Sequence, residues 1–150
     1  MHMHPLCRLA LAALCIATIG CAATSHAPAL GSEQAADATI AQVYFWRAQP
    51  GKFAEYSRYI RDVAEPIDRE AQRAGAFLTV TTYAANDTTV PWTHMRVFLL
   101  RDSTQLRGLA DALSAAGARV EPDSSRRRQR GEYSATLRVR VGATVADIVR

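Results

Sequence analysis

Residues 39–56 read TIAQVYFWRAQPGKFAEY, and the way this stretch is divided decides the fold. Thr39 to Ala48 is dense in β-branched and aromatic residues, the composition of a strand, and Pro50-Gly51 ends it with turn chemistry. From Phe53 onward the apolar period changes. Phe53, Tyr56, Ile60, Val63, Ile67, Ala71 and Ala74 recur at steps of three and four, which places them on one face of a helix reaching Gly75. Pro66 lies inside that helix and cannot donate to the carbonyl of Asp62, so a kink or break is expected there.

The same reading continues outward. AFLTVTTYA (76–84) and WTHMRVFLLR (92–101) predict two strands joined as a hairpin through a turn holding Asn86-Asp87 and Pro91. Asp102 or Ser103 can cap a second helix, whose stripe of Leu106, Leu109, Ala110 and Leu113 runs towards Gly117. EPDSSRRRQRGE (121–132) is polar and without period, and reads as a loop. SATLRVRV (134–141) alternates and reads as the fourth strand, while ATVADIVR (143–150) carries no assignable pattern. The expected class is α+β, a ferredoxin-like β-α-β-β-α-β chain with an antiparallel sheet.

The N-terminus is of another kind. After MHMHPLCR, residues 9–23 hold no charge, and this run is shorter than the roughly 20 residues that a membrane-spanning helix needs. Residues 1–23 are therefore expected to be an export signal, 24–38 a flexible tether and 39–150 the folded domain, with the periplasm as destination. ATIGC ending at Cys21 resembles a lipobox, which implies lipidation of Cys21 and a membrane tether. Ordinary cleavage near Ala23 or after Ala29 is the competing reading. Cys7, Cys15 and Cys21 all fall in the leader, so no disulfide framework is expected. Without Arg8 the chain keeps 17 basic against 14 acidic residues, too mild an excess to name a polyanionic partner.

Splitting each strand into its alternate sets gives two candidate sheet faces. Val43, Phe45, Leu78, Val80, Met95, Val97, Leu99, Leu137, Val139 and Val141 are expected beneath the helices. The other set includes Gln42, Tyr44, Trp46, Phe77, Thr79, Thr81, Tyr83, Trp92, His94, Arg96, Phe98, Arg138 and Arg140. It is aromatic and polar together, and calls for a cover, either a second copy or a ligand.

PGKFAEY (50–56) followed by EPIDREAQRAGAF (65–77) is similar to a group of small exported bacterial proteins with a strand-PGK-helix opening. The arrangement over about Thr39–Arg101 resembles the dimeric α/β-barrel superfamily. The resemblance implies a homodimer in which two sheets pack together around a cavity. Its members include quinol-type and haem-degrading monooxygenases, other enzymes and proteins of no known activity, so the fold leaves the chemistry open.

On this reading His94 and Tyr44 are the candidate catalytic residues, and Trp46, Tyr83, Arg96 and Arg138 the candidate contacts to a small aromatic or anionic compound. A neutral His94 beside arginines would suit a general base, whereas the plainer alternative is a polar group at an interface. No metal cluster accompanies His94, and the haem-degrading pattern lacks an Asn on the first strand, so no metal and no cofactor is expected. Arg126, Arg127, Arg128 and Arg130 could meet an acidic surface such as anionic lipid, or be a solvated loop. No RNP1-like aromatic string, P-loop, dinucleotide fingerprint or nucleophile elbow occurs, so nucleic acid is not an expected partner. The expected function is an exported dimer binding such a compound, with cofactor-independent monooxygenase-like activity in view. The alternative is a non-catalytic envelope dimer whose sheet face is only an interface.

Overall fold

The computed structural model describes residues 35–85 and 88–149. The leader, Cys21, most of the tether and the Asn86-Asp87 turn lie outside the described residues. Strand β1 (Ile40–Ala48) is followed by a turn in which Gly51 adopts φ +73°, a conformation that favours glycine. Helix α1 (Phe53–Tyr59) passes through a π-helical turn, Ile60–Ala64, into α2 (Glu65–Arg73). Pro66 accounts for the π-turn in place of a break: it brings no N–H to the ladder, and the turn before it widens to accommodate one more residue. Strands β2 (Thr79–Ala84) and β3 (His94–Leu100) come next. Helix α3 (Ser103–Val120) is capped by Asp102, whose carboxylate accepts from the backbone N–H of Thr104 at 2.8 Å and of Gln105 at 3.0 Å.

The C-terminal third differs from the sequence reading. Ser124–Leu137 is a helix, α4, in place of the expected loop, and β4 runs from Arg138 to Asp147, later than residues 134–141. Asp123 starts the helix by accepting from the N–H of Ser125 at 2.8 Å. Only Ser134 and Leu137 of α4 are buried, so no apolar stripe announced it. The arginine run therefore sits on a helix. Arg127 donates to the carbonyls of Glu121 and Pro122 at the end of α3, and Arg130 pairs with Glu121 at 3.1 Å. Half of the run is spent on joining two helices.

The sheet is fully antiparallel in the order β2-β3-β1-β4, the ferredoxin-like arrangement with one helix added, and the fold is α+β. Phe77, Phe98, Leu100, Leu109, Ala71 and Ala116 form the main core, and Ala48, Tyr56, Ile60 and Leu137 a second one. The chain joins this fold at Ala38, which is buried.

Which sheet face the helices cover is the main correction. In antiparallel strands directly opposed residues share a face. Gln42 opposes Phe98, Tyr44 opposes Arg96, and Trp46 opposes His94. Tyr44 packs on the main core and Trp46 on the second, so this mixed set lies beneath the helices. Val43, Phe45, Met95, Val97 and Leu99 face the other way, with Val139 and Val141 also exposed. Val80, Leu78 and Leu137 are on the helix side as expected, and Phe77, assigned to the open face, is buried there too. Most of the polar groups that the inversion buries have partners, the Nε of Arg96 being an exception. Gln42 donates to the carbonyl of Thr144 at 3.0 Å, and Arg96 pairs with Asp68 of α2.

Candidate functional site

Of the residues singled out from the sequence, His94, Tyr44, Trp46, Arg96 and Arg138 converge on the helix-covered face. Tyr83 does not join them: it opposes Met95 on the open face and is 48% exposed. Tyr44 meets the ring of Phe98 edge-on at 5.9 Å and serves as core, with Arg96 as its cross-strand neighbour.

His94 is almost completely buried, between the rings of Phe53 and Tyr56 at 4.8 and 4.6 Å. Its Nε2 lies 2.9 Å from the Ser57 hydroxyl and its Nδ1 2.9 Å from the Thr93 hydroxyl. The Ser57 hydroxyl donates to the Phe53 carbonyl at 2.9 Å, so its oxygen is left to accept from Nε2–H. The Thr93 hydroxyl lies between Nδ1 and, at 3.3 Å, the carbonyl of Trp46, and its proton can go to either. Burial disfavours the imidazolium and lowers its pKa from the usual 6.5. The expected interface position is thus replaced by a core one. Both ring nitrogens face hydroxyls in a ring that is 1% exposed, so neither is turned towards a substrate.

Cations gather next to it. Arg96 pairs with Asp68 and lies 5.1 Å from the Phe98 ring. Burial pushes the Asp68 carboxyl up in spite of the guanidinium beside it. The Nε of Arg96 is buried without a hydrogen-bond partner.

Arg138, the first residue of β4, lies flat over Trp46 with its guanidinium carbon 3.4 Å from the ring centre, and 5.5 Å from that of Tyr56. Its Nε donates to the Ser134 hydroxyl at 3.1 Å. Among the described residues no carboxylate pairs with it. Burial lowers its pKa, and the charges of Arg96 and Arg140 lower it further, while Tyr56 and Tyr59 oppose this. Burial also drives the Tyr56 hydroxyl up to about 12, so it is a proton donor at any ordinary pH.

Arg138, Tyr56 and the spare Nε of Arg96 are all donors. Such a set accepts a carboxylate or another oxyanion, and has nothing to offer an amine. Trp46 has one ring face occupied by Arg138, so it orients the guanidinium instead of stacking on a ligand. A cavity of about 330 Å³, lined by Glu65, Asp68, Arg69, Gln72, Val80, Thr81 and Thr82, opens beside the Asp68–Arg96 pair.

Tyr56, Ser57, Asp68 and Ser134 were not singled out as site residues. Only Asp68 left a trace: it is an acid directly beside Ile67 on the apolar helix face, where a strand arginine can reach it. No group of three or more His, Cys, Asp or Glu among the described residues is placed to hold a metal ion.

No protein-family model and no curated protein sequence matches the chain. Among solved structures the chain is similar to HapK from Hahella chejuensis, with 9% identity and a TM-score of 0.49 over 73% of this chain and 92% of HapK. At that identity and score, the fold and the site rest on the chain's own geometry.

Proposed function

We propose that the protein is an exported, periplasmic binding protein for a small anionic compound, held between sheet and helices by Arg138, Tyr56 and Arg96. The observation that carries this is Arg138, a guanidinium stacked on Trp46 without a carboxylate partner among the described residues. A cation withdrawn from water is costly unless paired, so the site is one charge short until an anion arrives.

The working form in this proposal is a homodimer of the dimeric α/β-barrel kind. Val43, Phe45, Met95, Val97 and Leu99 form an apolar sheet face, and monomers seldom leave such a face to water. A second copy presenting the same face covers it. Of the two roles open to the protein, binding is favoured over monooxygenase-like turnover, because the one histidine in the domain already has both nitrogens engaged. The non-catalytic envelope dimer shares the interface but needs no anion.

Native mass spectrometry of the protein taken from its own envelope separates these readings. A dimer carrying a small acidic compound supports the binding protein. A dimer that never retains or acquires an anion leaves only the envelope dimer. The same spectrum reports whether Cys21 carries lipid.

A further inference from the structure

A second cavity, of about 610 Å³, lies where β1 leaves the sheet, between the Pro50 turn and the end of the β2–β3 connection. Its size is within the range of small-molecule sites, which are mostly apolar with a few placed polar groups. We propose that it is a binding slot for a flat aromatic compound bearing an oxygen acceptor.

Phe53 and Trp92 supply aromatic walls, and Pro50 and Pro91 add apolar surfaces with no N–H to satisfy. Phe53 is 42% exposed, unusual for a Phe, yet its ring is held from behind by the imidazole of His94. Trp92 is likewise backed by Phe45 at 6.0 Å. Neither ring must reorganise to accept a third, which lowers the ordering cost of binding.

The frame around them is tied down. Thr93 N–H donates to the carbonyl of Trp46 at 2.8 Å, and Ala48 N–H donates to the Thr93 hydroxyl at 2.8 Å. Arg47 donates through Nε to the carbonyl of Pro91 at 2.7 Å, which fixes the guanidinium at the cavity wall. No other hydrogen bond holds its terminal amino groups among the described residues, and they are the donors for the ligand's oxygen. The slot is lined by none of Arg138, Tyr56 and Arg96, and stands or falls without the anion site, although Phe53 and Thr93 also hold His94.

The two tryptophans make the test direct, since Trp92 reports this slot and Trp46 the anion site. The mature protein is titrated with 2-naphthol, which is uncharged near neutral pH and so gives Arg138 no charge to hold. The two indole N–H resonances, assigned with Trp46→Phe and Trp92→Phe, are followed by NMR. The Trp92 signal is expected to move saturably while the Trp46 signal stays in place. Phe53→Ala should weaken binding about tenfold. Arg47→Ala, at an exposed position that leaves the fold intact, should weaken it several-fold. A Trp92 signal that does not saturate, a larger shift at Trp46, or unchanged affinity in both variants overturns the proposal.

Discussion

Arg138 and Trp46 are stacked 3.4 Å apart, at the point where the second core meets the cations of the sheet. The indole holds flat a guanidinium that no carboxylate claims among the described residues. Trp46→Leu removes the ring while keeping an apolar side chain. The expected loss is about 1–2 kcal/mol of folding stability, from the cation–π contact of a partly desolvated guanidinium, measured by urea denaturation. A loss of the same size in an Arg138→Gln background would show that the stacking contributes nothing.

Asp68 and Arg96 form a buried ion pair, with side-chain exposures of 6% and 14%. Asp68→Ala leaves a buried guanidinium unpaired and should cost about 3–5 kcal/mol. Arg96→Met in the same chain removes the orphaned charge, so the double variant should recover much of that loss. A double-mutant cycle reads the coupling, and purely additive effects would contradict a direct pair.

His94 gives the fold a pH dependence whose sign is fixed. Its folded pKa lies below the usual 6.5 because burial disfavours the imidazolium, and Ser57, Thr93, Phe53 and Tyr56 around it offer no negative charge. Its contribution is therefore complete above the unfolded value and is lost as pH falls through the lowered folded one. Melting temperature should drop on acidification from pH 7, and the drop should be shallower in His94→Gln. An identical slope in both proteins would remove His94 as the titrating group.

Ser57→Ala should leave one imidazole nitrogen without a partner, at about 1–3 kcal/mol. Thr93→Ala should cost more, since the Thr93 hydroxyl also accepts from the N–H of Ala48. Equal stability of wild type and Ser57→Ala in thermal unfolding would mean that water replaces the lost hydroxyl.

Val97 lies at the middle of the open sheet face, opposite Val43 on β1 and Thr81 on β2. Val97→Asp puts a charge into the proposed dimer contact, and sedimentation should show a folded monomer in place of a dimer. A wild-type protein that sediments as a monomer at all concentrations contradicts the homodimer.

The first three strands and the two long helices were legible because their apolar periods are clean: the steps from Phe53 to Ala74, and the run from Thr39 to Ala48. Pro66 foretold an irregularity, though not that it takes the form of a π-turn within a helical run that continues unbroken to Arg73. Helix α4 was illegible because SSRRRQRGEYSATL buries only Ser134 and Leu137, so its helicity rests on the Asp123 cap and on contacts that period analysis does not see. The faces of β1, β3 and β4 were inverted for a related reason, whereas β2 keeps Val80 beneath the helices and Thr79, Thr81 and Tyr83 on the open face as expected. Alternation shows that two sets exist, and the choice between them assumed that polar residues point away from helices. Here Asp68, Ser57 and Ser134 on those helices wait for Arg96, His94 and Arg138. Thus the residues named from the sequence do converge, with Tyr83 as the exception, but inside the monomer and not across an interface.

Calorimetric titration of the mature protein with sodium acetate, an anion with no ring for the Phe53–Trp92 slot to hold, at fixed ionic strength, is the most direct test of an anion held by Arg138. Saturable binding at one site per chain, lost in Arg138→Gln and retained in Arg140→Gln, is the predicted result. Binding that survives Arg138→Gln unchanged, or the absence of saturable binding by acetate and by succinate alike, would contradict it.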